Sequence, residues 1–330
     1  MLQCLKLKKI FLFSIIILAI LSIVFWMIPM SKNQECHLNY HHQQQQQKIY
    51  NHIVQNPIRL KSCNNHTSLI IIVHSALDHF NHRQTIRKFL RTNSENWSIV
   101  FILGQPLAGD KTLERKIKYE SNVNGDILRM AFVDTYRNLT LKHLSGLFWV
   151  IQNCHHHDRI IWLLKMDDDI FIDKILLQKY LKHLSQSDER KNQIYCYRMD
   201  NTGPLRDRMS KWYVSNVEYS SNHYPSYCSG WTYITTIDTI GKLLCPLNDD
   251  DNDNDDNRQL FWIDDVFITG ILRQHTGINL VAINHLFNLN TQTLYRWIEN
   301  RGQTKWFYMF SQTNNDWHLM HDAYRQRKFF

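Results

Sequence analysis

The sequence predicts an α/β domain built on a mainly parallel sheet flanked by helices. Three observations predict it. Residues 160–164 (IIWLL) are a short unbroken apolar run, the pattern of a strand buried on both faces. Two more runs of that kind, 69–73 (LIIIV) and 98–103 (SIVFIL), come earlier in the chain. The segments between them carry apolar residues at helical spacing, and strand alternating with helix argues for parallel crossovers.

Taken in order, residues 69–73 form the first strand and 79–90 a helix carrying Arg83 and Arg87. Four residues apart, these arginines share one face. They offer forked donors to a diphosphate, or simply a solvated face. Residues 98–103 form a second strand ending at Gly104, 113–123 a helix, 127–132 a shorter strand, and 138–153 a helix packed on the sheet. The strand at 160–164 follows, then a helix at 174–184 and a strand at 193–198. Residues 204–230 are rich in aromatics (Trp212, Tyr213, Tyr219, Tyr224, Tyr227), which suit either sugar stacking or a core, with Pro225 and Gly230 marking turns.

Two groups of acids stand out. Lys165-Met166 leads from the central strand into Asp167, Asp168 and Asp169. The carboxyl end of such a strand is where open α/β sheets bind ligands. Three adjacent carboxylates repel one another, and a divalent cation relieves that; all-oxygen ligation suits Mg²⁺ or Mn²⁺, which also bind nucleotide phosphates. Strand alternation would put Asp167 and Asp169 on one face and Asp168 on the other. A solvated acidic turn is the alternative. The second group, Asp264 and Asp265, lies inside the apolar frame FWIDDVFI. Carboxylates held there are expected to have raised pKa values and to suit proton transfer, the alternative being a cap for a helix at 266–272. The run NDDDNDNDDN at 248–257 is not an EF-type calcium loop. Counted from Asp251, its sixth position is Asp256 where glycine is needed, and its twelfth is Trp262 where glutamate is needed. It reads as a disordered acidic insertion, residues 249–257.

At 330 residues and 44% hydrophobic content the chain can bury a large core. Three of its 38 lysines and arginines lie in the first ten residues, leaving 35 against 30 acids. No basic block or basic-aromatic stripe points to nucleic acid. Residues 10–28 are apolar apart from Ser14 and Ser22, long enough to span a bilayer. Lys6, Lys8 and Lys9 precede them, so the positive-inside rule places residues 31–330 across the membrane. The expected organisation is a cytosolic tail (1–9), a transmembrane signal anchor (10–30), a polar stem (31–66) with HHQQQQQ at 41–47, and a luminal catalytic domain (67–330). Six cysteines (Cys36, Cys63, Cys154, Cys196, Cys228, Cys245) then face an oxidising lumen, enough for three disulfides in any of 15 pairings. Asn65, Asn96 and Asn138 open glycosylation sequons.

Seven segments, in order, resemble the beta-1,3-glycosyltransferases of glycosyltransferase family 31, the galactosyl- and N-acetylglucosaminyltransferases of the Golgi. They are RQTIRKF (83–89), FILG (101–104), GDILRMAFVDTYRNLTLK (125–142), KMDDDIFI (165–172), KWYV (211–214), YPSYCSGWTYITT (224–236) and IDDVFITG (263–270). The resemblance covers about residues 69–272. It implies a GT-A fold that binds a UDP-sugar and Mn²⁺, and transfer with inversion to a glycan acceptor on protein or lipid, forming a β1,3 linkage. The donor would be UDP-galactose or UDP-N-acetylglucosamine, and the setting a type II Golgi membrane protein. By position, Asp265 would be the general base beside Asp264. Asp167 would touch the nucleotide and Asp169 the metal, with Asp168 in support. Arg83 and Arg87 would lie near the nucleotide, and Asp134 would shape that side. Families of this fold often supply a late histidine to the metal, which points to His318 or His321. Phe89 replaces the family's tryptophan, and Thr232 the second glycine of its G-x-G-Y. A catalytically silent carbohydrate-binding relative is one alternative function. A two-metal nuclease or phosphatase is another, and the anchor-and-stem layout and lack of a basic groove speak against it.

Overall fold

A computed structural model describes residues 63, 66–91, 96–154, 159–187, 190–248, 260–302, 306–313 and 317–326. The expected anchor, nearly all of the stem and the acidic insertion lie outside the described residues. Among those described, no helix is long and apolar enough to cross a membrane.

The chain opens with β1 (Leu69–His74), α1 (Phe80–Leu90), β2 (Trp97–Gln105), α2 (Lys111–Asn124), β3 (Ile127–Val133), α3 (Leu139–Cys154) and β4 (Trp162–Asp167). The alternation seen in the sequence is therefore present. β1, β2, β3 and β4 are mutually parallel where they pair, in the order β3-β2-β1-β4. All six residues of β1 are buried. Leu69, Ile71 and Val73 face a core layer with Ile86, Phe89 and Leu90 of α1, whereas Ile70 and Ile72 face Leu144, Leu147 and Phe148 of α3. Continuous apolar runs were thus the correct signature: both faces of the sheet are covered. α3 lies close because Gly146 leaves room; a Cβ there would come within 3.3 Å of Ile72 Cδ1.

Beyond β4 the pattern changes. A three-residue strand β5 (Ile170–Ile172) leads to α4 (Lys174–Ser185), whose N-cap Asp173 accepts from the amides of Ile175 and Leu176. β6 (Gln193–Met199) follows, then β7 (Tyr227–Thr236) and α5 (Ile237–Leu243). β7 runs antiparallel to both β4 and β6. With β8 (Asn279–Ala282) beside β6, the sheet is completed as β3-β2-β1-β4-β7-β6-β8. The helix expected at 266–272 is a π-helical turn, Val266–Ile271, continued by a 3₁₀ segment, Leu272–His275. β9 (Phe287–Asn288), α6 (Thr291–Glu299), β10 (Phe310–Gln312) and α7 (Trp317–Arg325) finish the fold, and β5, β10 and β9 form a second sheet. The disulfides Cys63–Cys154 and Cys196–Cys228 fasten the chain before β1 to α3 and clip β6 to β7.

Candidate active site

Both acidic groups meet at the carboxyl edge of β4. In register, His74 ends β1 beside Asp167 at the end of β4. Beneath them Lys165 is buried, and its Nζ donates to Asp167 Oδ1 at 2.7 Å and to the carbonyl of Gly230 on β7. Burial works against the ammonium, but Asp167, Asp264 and Asp265 together hold its pKa above the ordinary lysine value. Asp167 is pushed up to about 7 by burial and by the charge of Asp169, with Lys165 opposing the rise.

The strand stops at Asp167, so the simple alternation expected over three acids does not hold: Asp168 and Asp169 form a turn. Asp168 nonetheless turns away from its neighbour. It is buried against the loop between β1 and α1, where Oδ2 accepts from Ser75 Oγ at 2.5 Å and lies 2.9 Å from His79 Nδ1. Burial alone would raise its pKa, but the bonds from His79 and Ser75, with the His82 ring close by, hold it well below the carboxylate range. Asp169 has a raised pKa, from burial and then from the charge on Asp168. Its Oδ1 is buried without a hydrogen-bond partner, while its backbone carbonyl is held by Thr313 N at 3.0 Å and Thr313 Oγ1 at 2.8 Å.

Asp264 and Asp265 are adjacent in sequence and have opposite surroundings. Asp264 is buried, its Oδ2 2.9 Å from His143 Nδ1 on α3. Burial would raise its pKa, but the His143 bond and the charge of Lys165 lower it, so Asp264 stays ionised. An ionised carboxylate only accepts, so His143 donates through Nδ1. His143 Nε2, 2.8 Å from Tyr233 Oη, is then left to accept the tyrosine proton. Asp265 accepts from Gly230 N at 3.0 Å and from Val266 N at 2.8 Å. Its pKa is nevertheless raised, by burial first and then by the charge of Asp264. It thus caps the turn and also has the raised pKa expected of a carboxylate in this apolar frame.

A model of the galactosyltransferase family matches residues 81–284, a stretch that contains both acidic groups. The chain belongs to this family, glycosyltransferase family 31. Mouse beta-1,3-galactosyltransferase 1 is 33% identical over 181 residues, 53% of each chain. Human beta-1,3-galactosyltransferase 2 is 36% identical over 146 residues, 44% of this chain and 33% of that protein. The chain spans about half the length, or less, of these curated relatives. Among solved structures, S. aureus TarS in complex with UDP-GlcNAc is similar at 12% identity over 55% of this chain and 48% of that one. Its TM-score of 0.28 is too low to argue from.

Asp134 follows β3 at the same sheet edge, 2.9 Å from Lys142 Nζ through both oxygens, and accepts from Gly104 N. Arg83 and Arg87 are not open forks awaiting a diphosphate. Arg83 is fully buried and bonds Glu120 through Nε and Nη2, and Arg87 bonds Glu120 and Asp126. Their shared face points into the protein because α2 brings Glu120 beneath it. His318 is exposed on α7. Among the described residues, the cluster that gathers three metal-ligand atoms is His79, His82 and Asp168, and it includes neither His318 nor Asp169. His321 falls where no side chain is described. The site residues that sequence reasoning missed are Lys165, His143, Ser75 and Thr313. Lys165 alone carried a signal: a lone cation at the end of an apolar strand.

The aromatic stretch divides. Tyr224 and Tyr227 join Val214, Phe261, Trp262 and Val266 in a buried cluster. Trp212 remains 44% exposed. Lys211 Nζ lies over its ring and over that of Tyr136, which is itself exposed and lies within reach of the charges of Asp264, Asp265 and Asp167. Tyr136 thus stands open beside the carboxylates, and Trp212 shares Lys211 with it. Thr232, in place of the family's glycine, is buried mid-strand in β7 and donates to the carbonyl of Lys165 at 2.6 Å.

Proposed function

We propose that this protein is an inverting β1,3-hexosyltransferase of GT-A fold, moving galactose or N-acetylglucosamine from a UDP-sugar to a glycan hydroxyl on a glycoprotein or glycolipid. The observation that carries the reading is the pair Asp264 and Asp265, whose surroundings drive their pKa values apart, one held ionised and one raised. Such a split separates a structural carboxylate from a general base. The names of the relatives favour galactose as the sugar.

In this reading the acceptor lies over Tyr136 and Trp212, with its hydroxyl toward Asp265. Asp265 takes the hydroxyl proton as that oxygen bonds to the anomeric carbon from the face opposite the nucleotide. The bond from that carbon to the diphosphate oxygen breaks, and UDP leaves with the electron pair. Gly230 N and Val266 N hold the base carboxylate in line. Lys165 holds Asp167 in place for the nucleotide.

The residues at the turn fit a divalent cation, because Asp169 Oδ1 is buried without a partner and Asp167 stands beside it with a raised pKa. Asp169 and Asp167 would hold Mn²⁺, which when bound offsets negative charge on the diphosphate. Residues 10–28 would anchor the protein in the Golgi membrane, with the catalytic domain luminal.

The test is UDP release by the full chain with each UDP-sugar, Mn²⁺ and a panel of sugar acceptors, beside Asp169→Ala and Asp265→Ala. Turnover with one donor that needs Mn²⁺ and disappears in both variants supports the reading. UDP-sugar binding without turnover on any acceptor would instead favour a silent carbohydrate-binding relative.

A further inference from the structure

The face of the DDD turn that Asp168 occupies has its own donor set. His79 and His82 sit three residues apart at the start of α1, so their side chains share a face. Their ring centroids are 4.4 Å apart. The Asp168 carboxylate reaches both: Oδ2 lies 2.9 Å from His79 Nδ1, and Oδ1 lies 3.7 Å from His82 Nδ1. One ligand atom from each of the three falls within 4.8 Å of the others.

Hydrogen bonding alone leaves this arrangement incomplete. His82 Nδ1 is buried without a hydrogen-bond partner, since 3.7 Å is too long for one. A buried imidazole nitrogen without a partner, close to a carboxylate and a second imidazole, is what a metal ion satisfies. Ligand distances of about 2.0–2.2 Å put neighbouring ligand atoms of a tetrahedral site about 3.3 Å apart. The two separations to Asp168, 2.9 and 3.7 Å, bracket that value, and with all three ligand atoms within 4.8 Å of one another side-chain rotations bring them onto one ion.

The surroundings are built as well. Ser75 Oγ donates to Asp168 Oδ2 and accepts from Arg83 Nη1 at 2.9 Å. Arg83 is in turn fixed by Glu120. Metal-binding carboxylates are oriented by such outer hydrogen bonds. The His79 side chain is 39% exposed, which leaves an entry path and a fourth position for water. Two imidazoles and one carboxylate suit Zn²⁺, Co²⁺ or Ni²⁺ better than Mg²⁺ or Mn²⁺, which prefer oxygen throughout.

We propose that His79, His82 and Asp168 form a second metal site, for Zn²⁺ or a like first-row cation, on the side of the DDD turn away from Lys165. It is separate from the Asp167–Asp169 side and stands whether or not the protein transfers a sugar. Occupied, it ties the start of α1 to the turn after β4 and so braces the two acids flanking Asp168.

The test uses the full chain, stripped with EDTA and then saturated with Mn²⁺ so that sites built from oxygen ligands alone are filled. Co²⁺ is titrated in and its visible d–d absorption followed. The expected result is a band of tetrahedral or five-coordinate Co²⁺ saturating at one equivalent and erased by Zn²⁺. His79→Ala and His82→Ala each weaken Co²⁺ binding by more than the roughly 10–100-fold that loss of an outer partner costs, and Asp169→Ala leaves it unchanged. The chain has 18 histidines, so the variants decide the matter. A band absent from the parent protein, or one that persists in both histidine variants, overturns the proposal. Should His82→Ala lose its native circular dichroism, His79→Ala carries the test, because that side chain is partly exposed and its loss leaves the core intact.

Discussion

Lys165 Nζ lies 2.7 Å from Oδ1 of Asp167, two residues further along the same strand. Side chains two apart on a strand share a face, so β4 itself sets the ammonium beneath the first carboxylate. The charges of Asp264 and Asp265 converge on the same ammonium from the other acidic group. One buried cation thereby joins the two halves of the site. Lys165→Met would leave three carboxylates facing one another across an apolar floor. We expect it to lower unfolding free energy by about 3 kcal/mol, read from urea titration at neutral pH, and to abolish UDP release. Coincident unfolding curves for the two proteins would show that Lys165 does not hold the carboxylates together.

In the proposed reaction Asp265 must be ionised to accept a proton. Its raised pKa brings the change of charge closer to neutrality than the ordinary value of about 3.9. Activity is therefore present above the raised pKa and lost as pH falls through it. The acid limb of kcat/KM is expected well above pH ~4. Asp264→Asn, which removes the neighbouring negative charge, should move that limb to lower pH. Asp265→Asn should cut kcat by roughly 10²–10⁴-fold while UDP affinity stays the same. A limb that is unmoved in Asp264→Asn argues that another group carries it.

The parts of this site that were legible in sequence are those built from short, one-sided signals. β1, β2 and β4 are buried on both faces, and burial of that kind leaves an unbroken apolar run. Asp264 and Asp265 were visible because their neighbours are apolar. β7 was not legible: YCSGWTYITT carries Ser, Gly and Thr, yet it is central and mostly buried. Its polar side chains are satisfied by backbone, with Thr232 donating to Lys165 O and Thr235 to Gln193 O, so no hydrophobic pattern was needed. Arg83 was misread for a related reason. Its partner Glu120 is 37 residues away, and no local spacing reports that. The second sheet escaped notice because its strands are two or three residues long and come together from distant parts of the chain.

Gly104 is required by close approach. A Cβ there would lie 2.9 Å from the backbone nitrogen and Cα of Asp134. Those atoms cannot yield as a flexible side chain would, so Gly104→Ala should displace Asp134 from Lys142. We expect a loss of about 1–3 kcal/mol in stability and a higher KM for the UDP-sugar, with kcat less affected. Thermal melts and donor titrations check the two effects separately. Wild-type KM in a measurably destabilised variant would free Asp134 from any part in shaping the nucleotide side.

Sequence alone admits two roles for paired arginines after a first strand, gripping a diphosphate or facing solvent. Their burial supplies a third, since Glu120 takes bonds from both and Asp126 takes two more from Arg87. Removing one member of a buried pair strands the other's charge, which costs about 3–5 kcal/mol. Arg83→Met should therefore destabilise the protein by that order in urea titration. Glu120→Gln combined with Arg83→Met should destabilise less than the two single changes summed, because the stranded charge has gone; couplings of about 0.5–3 kcal/mol are usual for groups in contact. UDP affinity of the folded fraction should be unchanged throughout. If Arg83→Met instead keeps its stability and loses UDP binding, the ion pair opens on nucleotide binding, and the arginines are ligands after all.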